Sequence, residues 1–173
     1  MKNIIFSVCF ILLSISLNGC NQKDEQAETV VIQPGQFFST EPSAIKGSLS
    51  KAEKCSLDSI NGQLRKPKIG WDIRRGEQIE IQGWAFSDDG KKASPEIYVQ
   101  LIGVVESYFA VTTTRTMRSD ANQYLRIDPS LAGGFQLQAK TDAIEPGVYK
   151  IEVVQRFGDR IETCEDGVNL TVK

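Results

Sequence analysis

The chain has 173 residues, with 20 Lys and Arg against 22 Asp and Glu, and it contains no histidine. This length fits one domain with a sizeable core. The lack of histidine excludes Ser-His-Asp catalysis, Cys-His catalysis and histidine-ligated metal sites, and we expect no metal and no cofactor. No basic run stands out, so no nucleic-acid partner is expected.

The first residues have the form of a bacterial export signal. Lys2 supplies the positive start, and an apolar run extends from Ile4 to Leu17. A helix needs about 20 apolar residues to cross a bilayer, so this run is too short for a stable span. Residues 1–19 are therefore predicted to be a signal peptide that is cleaved after export.

The junction Leu17-Asn18-Gly19-Cys20 resembles a lipobox, although Asn18 departs from the residues more often found there. The resemblance implies that Cys20 carries the lipid and anchors the protein to a membrane. An ordinary signal peptide would instead require an Ala-x-Ala-like site, which is absent. Asn21 resembles outer-membrane sorting, so the predicted location is the cell envelope at the outer membrane, with the leaflet left open.

Residues 20–52 are rich in polar side chains and are predicted to form a flexible tether. Within it, Val30-Val31-Ile32 and Phe37-Phe38 are too apolar for a plain linker. Two alternatives remain for residues 29–38: an extra edge strand packed on the domain, or an exposed docking segment for a partner.

From residue 53 to residue 173 the pattern predicts an all-β fold, an immunoglobulin-like antiparallel sandwich of about seven or eight strands. Apolar and polar residues alternate in clear strands, and turn residues separate them. The clear strands lie around 79–81, 97–101, 135–139, 149–153 and 168–172, and weaker ones at 56–64, 107–116 and 160–164.

Two local features interrupt this alternation. The apolar parity changes between Ile81 and Trp84, which predicts a β-bulge at Gly83 that returns Trp84 to the core face. A short helix is predicted at 119–126, where Ser119 or Asp120 can cap the first turn.

Cys55 and Cys164 are the cysteines left in the folded part once Cys9 is removed with the signal and Cys20 is lipidated. In an oxidising compartment, two remaining thiols predict one disulfide that ties the first strand to the last.

Several stretches together resemble the β-sandwich accessory modules of bacterial glycosyltransferases and secreted surface proteins. They are Leu57–Gly62, Ile81–Phe86 leading into Asp88-Asp89-Gly90, Ile97–Val99, Arg118–Asp120, Gly134-Phe135 and Gly147–Ile151. Ser119 stands where these modules more often have proline, and they often occur in tandem or beside a catalytic domain. The resemblance implies an immunoglobulin-like sandwich in a glycan-rich setting and no enzymatic activity.

Four residues are candidates for ligand binding. Arg115, Arg118 and Asp120 could bind a carboxylate or a sugar phosphate, and Trp71 could stack on a sugar. The alternative for Arg118 and Asp120 is that they brace a crossover loop.

The sequence favours a non-catalytic envelope lipoprotein whose sandwich binds a surface glycan or a glycan-handling protein. The alternative is an accessory lipoprotein of an envelope complex that docks through residues 29–38.

Overall fold

The computed structural model describes residues 34–65 and 70–173. The predicted signal peptide, the lipidation site Cys20 and the tether as far as residue 33 lie outside the described residues. Within the described ranges, no helix is long and apolar enough to cross a membrane.

Within these described residues, the protein is an all-β sandwich of two sheets with one short α-helix, as predicted. A 3₁₀ helix lies at Ser43–Ile45, and α1 lies at Ser119–Leu125. The strands are β1 (Leu49–Lys51), β2 (Cys55–Ile60), β3 (Gln63–Leu64), β4 (Trp71–Ile73), β5 (Gln78–Ala85), β6 (Ile97–Ile102), β7 (Ser107–Thr112), β8 (Arg115–Thr116), β9 (Gly134–Lys140), β10 (Gly147–Phe157) and β11 (Arg160–Val172).

The first sheet has the order β1-β11-β10-β6-β7, with β4 also paired to β11, and the second has the order β3-β2-β5-β9-β8. All neighbours are antiparallel except β1 and β4, which both run parallel to β11. The predicted antiparallel sandwich is thus supplemented at this edge by two short parallel pairings. β1 and β4 have only three residues each, too few for an alternation to be visible in the sequence.

The segments predicted at 160–164 and 168–172 form one long strand, β11. Its pairing with β10 shifts register between Lys150 and Glu152, where β11 bulges, and Gly167 has a φ of 66° in this stretch. The helix ends at Leu125, one residue before the predicted end, because Arg126 adopts a left-handed conformation.

The main core lies between the two sheets. On β5 the inward residues Ile79, Ile81 and Ala85 are buried, while Gln78 and Gln82 are exposed. Burial of the inward-facing apolar side chains makes the largest favourable contribution to the folding free energy of such a sandwich.

The predicted bulge at Gly83 is wrong, because the extra residue belongs to the neighbouring strand. Leu57 pairs with Gly83 and Ser59 pairs with Gln82, so Asp58 of β2 is the bulged residue. Gly83 is required for another reason: a Cβ there would meet the carbonyl oxygen of Ser56 and the ring of Phe135. Trp84 therefore keeps its place on the outer face of β5.

The predicted disulfide is confirmed. It joins Cys55 of β2 to Cys164 of β11, with the two Cα atoms 6.2 Å apart, and so links the two sheets. The disulfide closes a long loop, with a sequence separation of 109 residues, and so reduces the entropy of the unfolded chain. In the loop-entropy model it raises the free energy of unfolding by up to about 5 kcal/mol.

The tether predicted at 20–52 is wrong for its described part, because this segment packs on the sandwich. Gln36 pairs in parallel with Lys140 at the end of β9, and Phe38 pairs with Phe109 of β7. Between these bridges, Phe37 is only 2% exposed and belongs to the main core. Residues 36–38 thus cross from the edge of one sheet to the edge of the other, which agrees with the packed-segment alternative.

The chain then covers the outer face of the first sheet. Ile45 of the 3₁₀ helix packs with Tyr98, Phe109, Val154 and Ile161 in a second apolar cluster. This cover explains why β6 and β7 are buried on both faces. The folded domain consequently begins before residue 53.

We expect the Phe37→Ala variant to lose about 3–5 kcal/mol in free energy of unfolding, because it empties a core position at the sandwich edge. Urea denaturation followed by fluorescence measures the loss. Glu41→Ala, at an exposed position of the same segment, is the matched control and is expected to change stability by less than about 0.5 kcal/mol. Equal stability of the two variants would contradict the packing of this segment.

Candidate ligand-binding surface

Trp71 does not form an exposed platform, contrary to the expectation. It lies in β4 beside Leu170 of β11, its side chain is 4% exposed, and it packs in the main core. Its indole Nε1 donates a hydrogen bond of 3.0 Å to the carbonyl oxygen of Gln63. A buried tryptophan with its polar atom already bonded cannot stack on a sugar.

Arg115 is also unavailable as a ligand-binding group. Its Nε donates to the carbonyl oxygen of Ala132 at 3.2 Å, and its Nη2 donates to those of Gly133 at 3.0 Å and Ala85 at 3.3 Å. Burial lowers its pKa to about 10. Its role is to hold the loop before β9 against the end of β5.

Arg118 forms ion pairs with Asp58 and Asp120. Its Nη2 lies 2.7 Å from Asp120, and the bonds that it donates lower the pKa of Asp120 to about 2. The bulge in β2 places Asp58 where it reaches Arg118 across the sheet. This geometry supports the bracing alternative, because the guanidinium joins Asp58 of β2 to Asp120 of α1. The structure does not bring Trp71 or Arg115 into a site with this pair.

Asp89 closes the turn that follows β5. Its Oδ1 accepts hydrogen bonds from the hydroxyl of Ser87 at 2.6 Å and the amide of Lys91 at 3.0 Å. These two bonds lower the pKa of Asp89. The role of the carboxylate here is to fix the turn.

The outer face of the second sheet is an open polar surface that the sequence analysis missed. We call the following outward side chains the glutamine face: Gln78, Glu80 and Gln82 on β5 and Gln136 and Gln138 on β9. Cross-strand pairing sets Glu80 beside Gln138 and Gln82 beside Gln136. In the sequence, this face is visible only as the polar residues that alternate with apolar ones in β5 and β9.

Glu80 organises this face. Its carboxylate accepts hydrogen bonds from the amide nitrogens of Gln82 at 2.5 Å, Gln136 at 2.6 Å and Gln138 at 3.2 Å. The bonds from Gln138 and Gln136 are the main cause of its lowered pKa. Because each amide uses its nitrogen on Glu80, its oxygen remains as an acceptor for an outside group.

A surface cleft of about 410 Å³ borders the glutamine face. It lies at the edge of β9, and its volume falls within the range of small-molecule sites. Its polar lining includes Gln78, Gln136, Gln138, Thr113 and Thr114. The cleft and the glutamine face therefore form one continuous polar surface.

Trp84 lies on the same outer face but at the other end of β5. It is half-buried and packs with Phe86, with ring centroids 6.0 Å apart, in a small cluster against α1. Its ring therefore packs mainly in the cluster beside α1.

Within the described residues, no group of three or more Asp, Glu or Cys side chains is arranged to hold a metal ion.

Compared with known proteins, the chain matches no family model, and no curated protein is significantly similar to it in sequence.

Arg115→Met is expected to lower the free energy of unfolding by about 2–4 kcal/mol, because it removes the donor to three carbonyl oxygens in a largely buried place. Arg118→Met is the matched control. Its ion pairs are partly exposed, so its loss is expected to be about 1 kcal/mol or less. Chemical denaturation of both variants measures the difference, and the reverse order would refute the assignment of Arg115 as a structural brace.

Proposed function

We propose that the protein is a non-catalytic, lipid-anchored protein of the bacterial cell envelope whose sandwich binds a glycan through the glutamine face. The single observation that carries the ligand class is the array of three side-chain amides around Glu80, on an open sheet face beside a cleft.

The chemistry of this surface matches hydroxyl-rich ligands. A sugar hydroxyl both donates and accepts hydrogen bonds, and amide and carboxylate groups offer both kinds of partner in fixed positions. The three amides are held by Glu80, so less side-chain entropy is lost when a ligand binds. The threonines in the cleft add hydroxyl groups of their own.

Weak affinity is expected from this geometry. Among residues 34–65 and 70–173, neither tryptophan offers a stacking ring on the glutamine face, because Trp71 is in the core and Trp84 packs against Phe86. Binding would then depend on exposed hydrogen bonds, each of which contributes only about 0.5–1.5 kcal/mol net. A Kd of about 0.1–1 mM is reasonable, and clustering on a membrane would raise the avidity.

The proposed location in the cell envelope is supported by the sequence Leu17-Asn18-Gly19-Cys20, which follows a short apolar signal core. The Cys55–Cys164 disulfide agrees with an oxidising compartment outside the cytoplasm. The resemblance to accessory modules of glycosyltransferases and surface proteins gives a glycan-rich setting.

Docking of a partner through residues 29–38 is less well supported. Phe37 is buried in the core, and the backbone of Phe38 is paired with that of Phe109, so the described part of this segment is held in the fold. Deleting this segment would damage the fold and would not isolate a docking function.

The glycan site is tested with Gln136→Ala/Gln138→Ala. The expected result is at least about a fivefold weaker binding to surface polysaccharide purified from the producing cells, measured by isothermal titration or affinity electrophoresis. Both positions face outward at least in part, so the fold is expected to persist, as circular dichroism can verify.

Gln123→Ala is the matched control, since Gln123 is exposed on α1, away from the glutamine face. Unchanged binding by the double variant, or an equal loss with Gln123→Ala, would reject the glutamine face as the glycan site.

The anchor is tested on the protein from membranes. Mass spectrometry is expected to find an N-terminal peptide beginning at Cys20 and carrying a diacylglycerol and an amide-linked acyl chain. Cys20→Ser should abolish both the lipid and the membrane fraction. An unmodified Cys20 in the mature protein would rule out the anchor and leave the glycan site to be judged on its own.

A further inference from the structure

Glu80 brings a negative charge to the glutamine face that no cation of the described chain neutralises. Its side chain is only partly buried, and its carboxylate accepts hydrogen bonds from three amides. Within residues 34–65 and 70–173, no lysine or arginine forms an ion pair with it. Because the amide bonds lower its pKa, the carboxylate is ionised at neutral pH. The open sheet face therefore carries an unpaired negative charge in a fixed position.

The three hydrogen bonds are divided unevenly between the two oxygens of this carboxylate. Oε2 accepts the bonds from Gln136 and Gln138, and Oε1 accepts the one from Gln82. A carboxylate oxygen has two lone pairs, so Oε2 is filled and Oε1 can accept one further bond. Each amide nitrogen also uses one of its two N–H groups on Glu80, so acceptors outnumber donors on this face. The face is therefore suited to a ligand group that donates.

The other charges around the glutamine face lie at its borders. Lys140 is the last residue of β9, and its side chain is exposed and can extend into solvent. Arg118, at the opposite border, is neutralised by its ion pairs with Asp58 and Asp120. The lowered pKa of Glu80 comes from its amide neighbours and not from these charges. Glu80 therefore determines the local charge that a ligand meets.

The cleft at the edge of β9 supplies a neutral surface next to this charge. None of the described side chains that line it is charged. Gln136 and Gln138 line the cleft and also bond to Glu80. Since neighbouring strands are about 5 Å apart, the cleft lies roughly one strand spacing from Glu80 on β5. A hydroxyl-bearing ring in the cleft can thus extend one substituent to the carboxylate.

The chemistry of Glu80 distinguishes between charged ligands. An acidic sugar would bring its own negative charge toward this carboxylate and be repelled. A calcium ion requires several oxygen ligands, and no group of three acidic or cysteine side chains among the described residues is arranged for one. A protonated amino group has three donors, no acceptor and a single positive charge. It is the group that matches both the charge and the surplus of acceptors.

We propose that the glutamine face selects glycans that carry a free, protonated amino group on a sugar ring. The ammonium binds at Oε1 of Glu80, and the ring lies against Gln136 and Gln138 in the cleft. This inference rests on the proposed glycan site and names its ligand class. A charge-assisted hydrogen bond is about twice as strong as a neutral one, so the amino sugar is preferred to its N-acetylated form.

The first experiment compares a glucosamine trimer with its fully N-acetylated form by isothermal titration. The amino form is expected to bind about tenfold more tightly at low salt, and the difference is expected to shrink as salt screens the exposed carboxylate. Equal affinities, tighter binding of the acetylated trimer, or no binding of either at millimolar concentration would overturn the inference. The glycan site itself is decided separately, by the polysaccharide test of Gln136→Ala/Gln138→Ala.

Trilysine controls for a general attraction of cations, because it has the same net charge as the glucosamine trimer but no sugar ring. It is expected to bind at least about tenfold more weakly, since nothing in it fills the cleft with hydroxyl groups. Binding as tight as that of the glucosamine trimer would show that the face senses charge alone, and the proposed selection of amino sugars would be wrong.

The second experiment uses Glu80→Gln, which removes the charge and keeps the size of the side chain. It is expected to reduce the preference for the amino trimer to less than about twofold while leaving the affinity for the acetylated trimer nearly unchanged. Glu41→Gln is the matched control, because it makes the same change of charge at an exposed position before Ile45, and it should keep the full preference. A preference that survives Glu80→Gln, or an equal loss for both trimers, would contradict a direct bond between Glu80 and the ammonium.

Discussion

Burial of the first sheet on both of its faces is the constraint on which the other surfaces of the molecule depend. Its inner face packs in the main core, and its outer face is covered by Ile45 and its neighbours. Since Phe37 also seals the edge between β9 and β7, the segment at 36–52 is part of the fold. The outer face of the second sheet remains as an open polar surface.

Period-two alternation predicted the strands well wherever one face meets the core and the other meets water, as on β5 and β9. It failed where the outer face is covered, because Val154 and Glu152 are both buried on β10 and no longer follow the pattern. Strands of two or three residues such as β4 carry too few residues to alternate. The bulge was assigned to the wrong strand because parity shows a change of face but not which partner holds the extra residue.

The candidate site shows a different limit of sequence reasoning. Trp71 and Arg115 have side chains that can bind sugars or anions, but their local sequence does not reveal that tertiary packing buries Trp71 and bonds Arg115 to three carbonyl oxygens. For Arg118 and Asp120 the sequence left ligand binding and bracing as alternatives, and the ion pairs of Arg118 with Asp58 and Asp120 favour bracing. The glutamine face was visible only as polar residues between apolar ones, and its meaning depends on the register that sets Glu80 beside Gln138.

The edges of the two sheets have a consequence for a protein crowded on a surface. β11 is flanked by the short strands β1 and β4, the second sheet ends in β3 and β8 with two residues each, and β7 is bridged by Phe38. On the proposed lipid anchor, molecules would be concentrated in two dimensions, where long unpaired strands would join neighbouring copies edge to edge. Such short, interrupted borders offer little template for this pairing. The described edges of the two sheets therefore disfavour edge-to-edge pairing between copies of the protein.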